Sequence, residues 1–127
     1  MIWIPNMAQL MRLHTKVAER SGGSDAVRDA GLVESALMRA SAGFGDCDLY
    51  ATAEEKAAAI ASGLIANHGF IDGNKRIGVA AMLLILRKNN VEISFTQQEL
   101  ICFGLDAAKG LMTTQDVLDW IVRHKVN

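Results

Sequence analysis

The stretch His68-Gly69-Phe70-Ile71-Asp72-Gly73-Asn74-Lys75-Arg76 lies between two strongly helical segments. Before it, Thr52-Ala53-Glu54-Glu55 has the spacing of a capping box, in which Thr and Glu satisfy the first free amides of a helix. An Ala-rich run then continues to Asn67. After it, Ile77 to Leu86 is almost wholly apolar, the pattern of a helix enclosed by others. The loop therefore carries a histidine at the end of one helix and the amides of Gly73, Asn74 and Lys75 at the start of the next. Free N–H groups and the positive end of the helix dipole attract phosphate there. Lys75 and Arg76 add cations at the same end. They oppose the dipole unless an anion is near, and Arg can grip phosphate oxygens in pairs. A histidine set against such a nest points to group transfer from a nucleotide.

The rest of the chain bounds this reading. A length of 127 residues predicts one compact domain over 1–127, with a core but no room for a second. Half the residues are hydrophobic and one is proline, which excludes a disordered chain. A net charge of −1 argues against binding nucleic acid through bulk electrostatics. Cys47 and Cys102 match no zinc spacing and read as reduced thiols. Met1-Ile2-Trp3-Ile4-Pro5 lacks the features of a signal peptide. Val79 to Leu86 is far shorter than the roughly 20 residues needed to cross a bilayer. A cytoplasmic protein without membrane contact is expected.

Periodicity predicts an all-α bundle of about six helices around a central buried one. The first runs from near Pro5 to about Arg20, with Met7, Leu10, Met11, His14, Val17 and Ala18 on one face. His14 on that stripe reads as a hydrogen-bonded core or subsite histidine. Ser21-Gly22-Gly23-Ser24 breaks the helix. The second, near Asp29 to Ala40, turns Leu32, Val33, Ala36 and Leu37 inward. Ala42 to Tyr50 reads as an irregular loop. The third helix carries a stripe at Ala57, Ile60, Ala61, Leu64 and Ile65, which position 68 continues, so His68 is expected on the inward face. Phe70 is expected to anchor the loop. The central helix spans about Asn74 to Lys88 and ends at Asn89-Asn90. Val91 to Phe95 reads as extended but too short and lone to make a sheet. Thr96-Gln97-Gln98-Glu99 is a further capping box, opening a helix to about Lys109. Thr113 or Thr114 caps the last, with Val117, Leu118, Ile121 and Val122 inward.

Transfer of a phosphoryl or nucleotidyl group to a hydroxyl requires held phosphates, neutralised charge, a proton acceptor and a positioned target. A histidine can be neutral near pH 7 and take the proton of a Ser, Thr or Tyr hydroxyl, which is the role assigned to His68. The plain alternative is a satisfied buried histidine. Asp72 is an acid beside an anion site, a conflict that Mg²⁺ bound to the carboxylate and phosphate oxygens resolves. Its plain alternative is a helix cap, and both roles can coexist. Gly73 admits phosphate close to the backbone, and Asn74 orients either phosphate or the loop. Arg76 is the expected phosphate clamp and Lys75 a compact charge, against the alternative of a solvated basic pair.

The nine residues resemble the signature H-x-F-x-[D/E]-G-N-[G/K]-R of the Fic/Doc proteins. Gly22-Gly23 with Arg28-Asp29-Ala30-Gly31-Leu32-Val33-Glu34-Ser35-Ala36-Leu37 is similar to that family's GG…RDxGLxESAL segment. The resemblance covers nearly the whole chain. It implies the family's helical fold and a flap beside the active site, for which Ala42 to Tyr50 is the candidate. It also implies that Arg28 and Glu34 line the site or brace its loop; from the residues alone they read as surface charges. Gly69 stands where the common pattern has proline, and Lys75 where it has a second glycine. The latter is the variant of the Doc (death-on-curing) branch, and it implies an inverted nucleotide whose γ-phosphate is transferred from ATP. The alternatives are transfer of AMP, or a helical module that binds an anion or a partner without catalysis. Resemblance to Doc further implies a toxin that phosphorylates a threonine of elongation factor Tu and so stops translation. No [S/T]-x-x-x-E-[G/N] inhibitory helix occurs in the chain, so inhibition is expected from a separate antitoxin laying a helical segment into a groove.

Overall fold

Five of the six α-helices begin at a residue whose side chain accepts the first free amides: Asn6, Asp29, Thr52, Thr96 and Thr113. The computed structural model describes residues 1–110 and 112–126. The helices are α1 (Met7–Ser21), α2 (Ala30–Met38), α3 (Ala53–Asn67), α4 (Asn74–Lys88), α5 (Gln97–Ala108) and α6 (Thr114–His124). A 3₁₀ turn, Arg39–Ser41, extends α2. The all-α expectation holds, and the boundaries shift by a residue or two. The first helix starts at Met7 under its Asn6 cap, not at Pro5, and Asp29 is the cap of α2, not its first turn.

The centre is a pair of helices. Small residues let α3 and α4 approach closely: a Cβ on Gly78 would come within 2.6 Å of the Ile65 side chain and 3.1 Å of the Ala61 carbonyl. On the opposite face of α3, Gly63 makes the same allowance for Ala36 of α2. Packing is then continuous, with Ile60, Leu64, Ile77, Met82, Ile85, Phe103 and Ile121 buried in one cluster. Helix α3 touches α2, α4, α5 and α6, while α4 is flanked by α1, α3 and α5. The helix expected to be enclosed, α4, therefore shares the centre with α3. Its own flank at Val79, Ala80 and Leu83 is only half-buried and floors a groove between α1 and α5.

The ends are tied by polar groups. Asn89, beyond the last turn of α4, accepts the Trp3 amide (2.8 Å) and donates to the Trp3 and Ile85 carbonyls. Asn90 takes the left-handed conformation at φ 60°. Residues 91–95 form no strand, in keeping with a stretch too short for a sheet, but they are not alone: a single bridge joins them to the C-terminal tail. Ile93 pairs with Lys125, Ser94 donates to His124 and Val126 to Glu92.

Residues 42–50 are not an irregular loop. Gly43–Phe44 and Cys47–Asp48 form a minimal antiparallel hairpin, turned at Gly45 with φ 63°. Lys56, in the first turns of α3, ties down its base through the Ala40 carbonyl and Asp48. His68 ends the same helix, which at 15 residues is about 22 Å long. The hairpin is thus anchored at the end of α3 remote from His68. Val122, expected inside, is 56 % exposed.

Candidate functional site

The site begins where α3 stops. His68 follows the last helical residue in the left-handed conformation (φ 50°, ψ 47°) and is exposed. Extending the α3 stripe by one turn placed it inward. The αL backbone rotates it off that stripe, so it stands on the rim between two cavities. The second segment of the resemblance holds it there. Arg28 donates through Nε to the His68 carbonyl (2.7 Å) and through Nη2 to the Asn67 carbonyl (3.2 Å), closing the C-terminal end of α3. The Gly69 carbonyl accepts the amides of both Arg28 and Asp29 at 2.9 Å. Arg28 is therefore a loop brace, whereas Glu34 is exposed on α2.

That docking explains glycine at 69. A Cβ there would lie 2.5 Å from Val33 Cγ2 and 3.2 Å from the Asp29 carbonyl oxygen. Tight packing on α2 thus takes over the restraint that a proline ring provides by fixing φ.

Two side chains set the turn between the helices. Asn74 spans it from within: its Oδ1 accepts the Phe70 amide (3.0 Å) and its Nδ2 donates to the Phe70 carbonyl (2.9 Å). Of the two roles open to Asn74, its side chain takes the one directed at the loop. His14, 1 % exposed, stacks on Phe70 with ring centroids 3.6 Å apart and donates from Nε2 to the Asp72 carbonyl at 2.8 Å. Phe70 is the buried anchor that was expected. His14 is the hydrogen-bonded core histidine of the α1 stripe, but no sequence signal shows that its partner is the loop carbonyl.

The start of α4 stays open. Gly73 occupies the cap position with φ 76°, and among the described residues no side chain caps the helix. The Gly73 amide is taken by Asp72 Oδ1 (2.9 Å), so the nest consists of the Asn74, Lys75 and Arg76 amides, one residue later than expected. Lys75 and Arg76 make no ion pair among the described residues. The structure brings His68, Ile71, Asp72, Gly73, Asn74, Lys75 and Arg76 around one open cavity of about 350 Å³. The Asp72 carboxylate is exposed and lies directly over Gly23, where any Cβ would collide with it. A side chain at 23 would therefore have to displace that carboxylate, the movable end of an exposed residue. Gly22 ends α1 in the left-handed conformation.

No cluster of three or more His, Cys, Asp or Glu side chains suited to a metal occurs among the described residues. An exposed carboxylate beside an uncapped helix start still fits Mg²⁺, which commonly takes one or two carboxylates and draws its remaining ligands from phosphate and water. Cys47 and Cys102 are both exposed and unpaired. Among the described residues no helix is long and apolar enough to cross a membrane.

The helical domain thus sets a braced histidine across a short loop from an uncapped, cation-bearing helix start. Residues 5–86 match the Fic/DOC family. Over 91 residues the chain is 37 % identical to Toxin Doc of Mycolicibacterium smegmatis, covering 72 % of this chain and 65 % of that protein. Over 118 residues it is 31 % identical to Protein kinase doc of Escherichia phage P1, covering 91 % of this chain and 90 % of that one. The chain belongs to the Fic/Doc family, in its Doc branch.

Proposed function

We propose that this protein is a Doc-type toxin that transfers the γ-phosphoryl group of ATP to a protein hydroxyl. The observation that carries this reading is the unfinished start of α4, whose amides and two cations have no partner among the described residues, across the loop from His68. The name of the phage relative, Protein kinase doc, supports the phosphotransfer form. Lys75, filling the position of a second glycine, supports it too.

In the step itself, a bond forms between the target hydroxyl oxygen and the γ-phosphorus while the bond to the β,γ-bridging oxygen breaks. The hydroxyl proton passes to His68, and nucleoside diphosphate leaves. The amides of residues 74–76 hold the phosphate oxygens, Arg76 clamps them, and Lys75 supplies charge. Asp72 would hold Mg²⁺, which neutralises phosphate oxygens when bound. His14 and Asn74 keep the loop in register through the Asp72 carbonyl and both backbone groups of Phe70. A threonine of elongation factor Tu is the acceptor that the family resemblance proposes.

Regulation is proposed to come from an antitoxin. The groove between α1, α4 and α5, about 530 Å³, is floored by Val17, Val79, Ala80 and Leu83, with Arg20, Lys75 and Arg76 at one end. An amphipathic helix with an acidic end would fit its apolar floor and its cations, and would cover the phosphate site. The name Toxin Doc of the mycobacterial relative supports this pairing.

The test is purified protein with elongation factor Tu and ATP labelled at either the α- or the γ-phosphate. Label from γ alone is expected. Label from α identifies an AMP transferase. No label from either, across several targets, leaves a binding module and overturns the reading.

A further inference from the structure

His68 borders a second cavity, and the order of cavities along the site carries a consequence for the target. On one side of the phosphate nest, a cavity of about 350 Å³ is shared by His68 and Lys75 with Ile65, Ala66, Met112 and Val117. On the other side, the groove along α4 borders Lys75 and Arg76 but not His68. The nest itself includes all three residues. Lys75 separates the two flanking spaces, its stem lying across Gly104 of α5, where a Cβ would be 3.7 Å from Lys75 Cδ.

In-line phosphoryl transfer places the attacking and leaving oxygens on opposite sides of phosphorus. The attacking hydroxyl must be within reach of His68, so the leaving nucleotide extends away from His68, toward Arg76 and its groove. The cavity on the His68 side then belongs to the target. We infer that this cavity between α3, α5 and α6 is a specificity pocket that takes an apolar side chain of the target segment beside the accepting hydroxyl.

The lining agrees with that occupant. Its walls are aliphatic, with one methionine, a side chain that adapts to varied apolar shapes. The hydroxyl of Ser62, also in the lining, is already engaged by Arg39 Nη1 (2.9 Å) and Thr114 Oγ1 (2.7 Å). Outside the rim residues His68 and Lys75, that leaves no free side-chain group among the described lining residues to read a base edge or a ribose. The volume lies at the lower end of the roughly 300–1,000 Å³ of small-ligand pockets, room for a side chain. This inference rests on the phosphotransfer reading above.

The probe is a positional library of threonine peptides with γ-labelled ATP. The unmodified protein should favour an apolar residue over alanine at one fixed position near the threonine, by about tenfold. Ala66 is exposed, so Ala66→Phe can fill the pocket mouth without entering the core. It should reduce that preference to within about twofold and leave KM for ATP unchanged. Met112→Ala should shift the preference toward larger apolar side chains. If Ala66→Phe instead raises KM for ATP and spares the preference, the pocket holds the nucleoside and the inference is overturned. It is equally overturned if labelling shows no neighbour preference, or if neither variant changes it. If the unmodified protein transfers no phosphate to peptide or protein, the phosphotransfer reading itself fails and the inference falls with it.

Discussion

Helices α3 and α4 lie against each other, yet they begin in opposite ways. At α3, Thr52 accepts the Glu55 amide and Glu55 accepts the Thr52 amide in return, and Glu54 and Glu55 complement the dipole. At α4 a left-handed glycine offers no acceptor, and the first turn carries Lys75 and Arg76 against the dipole. One helix start is complete within the chain. The other has no side-chain cap among the described residues, and the packing of α4 on α3 holds it in place.

This contrast can be broken from either end. The largest expected effect is His68→Ala, with transfer reduced by about 10²–10⁴-fold, the range for loss of a general base. Nucleotide affinity should stay close to that of the unmodified protein, since the nest is intact; titration calorimetry with a non-hydrolysable ATP analogue checks this. Equal activity in that variant would remove His68 as the base. Next, Arg76→Ala should weaken nucleotide binding about ten- to hundredfold, as expected for charge-assisted hydrogen bonds worth about 1.5–3 kcal/mol. Arg76 is exposed, so its melting temperature should hardly change.

At the other helix start the outcomes should reverse. Thr52→Ala should cost about 1 kcal/mol, or about 4 °C in melting temperature, while nucleotide affinity stays the same. A Thr52→Ala protein that lost nucleotide binding would show that the two starts are coupled, contrary to the division drawn here.

The smallest effect concerns the far end of the bundle. The Thr96 amide, the His124 ring and the Thr96 hydroxyl hold the exposed Glu99 carboxyl below its ordinary value of 4.5. Burial pushes Glu54 upward, but Lys125 and a backbone amide outweigh it and bring it below the same value. A carboxylate whose folded-state pKa is depressed contributes stability that is fully present above its unfolded value and lost as pH falls through the folded one. Melting temperature should therefore decline slightly below about pH 4.5, and Glu99→Gln should flatten part of that decline. Thermal melts across that range measure it.

Much of this was legible in the residues. The caps at Thr52, Thr96 and Thr113 are local, each satisfied by a residue three positions on, so short-range spacing is enough to find them. The apolar run through α4 and the alanines of α3 announce helices that must pack. His68, Asp72, Lys75 and Arg76 gather around one cavity because they belong to a single loop and first turn. The direction of His68 was not legible, because a helical stripe extrapolates wrongly through a left-handed residue. Nor was the role of Asn74: an asparagine at a helix start can face solvent, ligand or loop, and only the Phe70 backbone in reach decides.

By itself the sequence determined the helical class, most helix starts, the position of the loop and the chemistry available in it. These follow from local spacing, side-chain type and a run of residues adjacent in the chain. Tertiary structure alone decided that α3 and α4 share the centre, that Arg28 and His14 fix the loop from helices far away in sequence, and that His68 stands between two cavities. Those facts depend on contacts between distant segments, whose geometry is set by how closely small residues such as Gly63, Gly69 and Gly78 let the backbones approach.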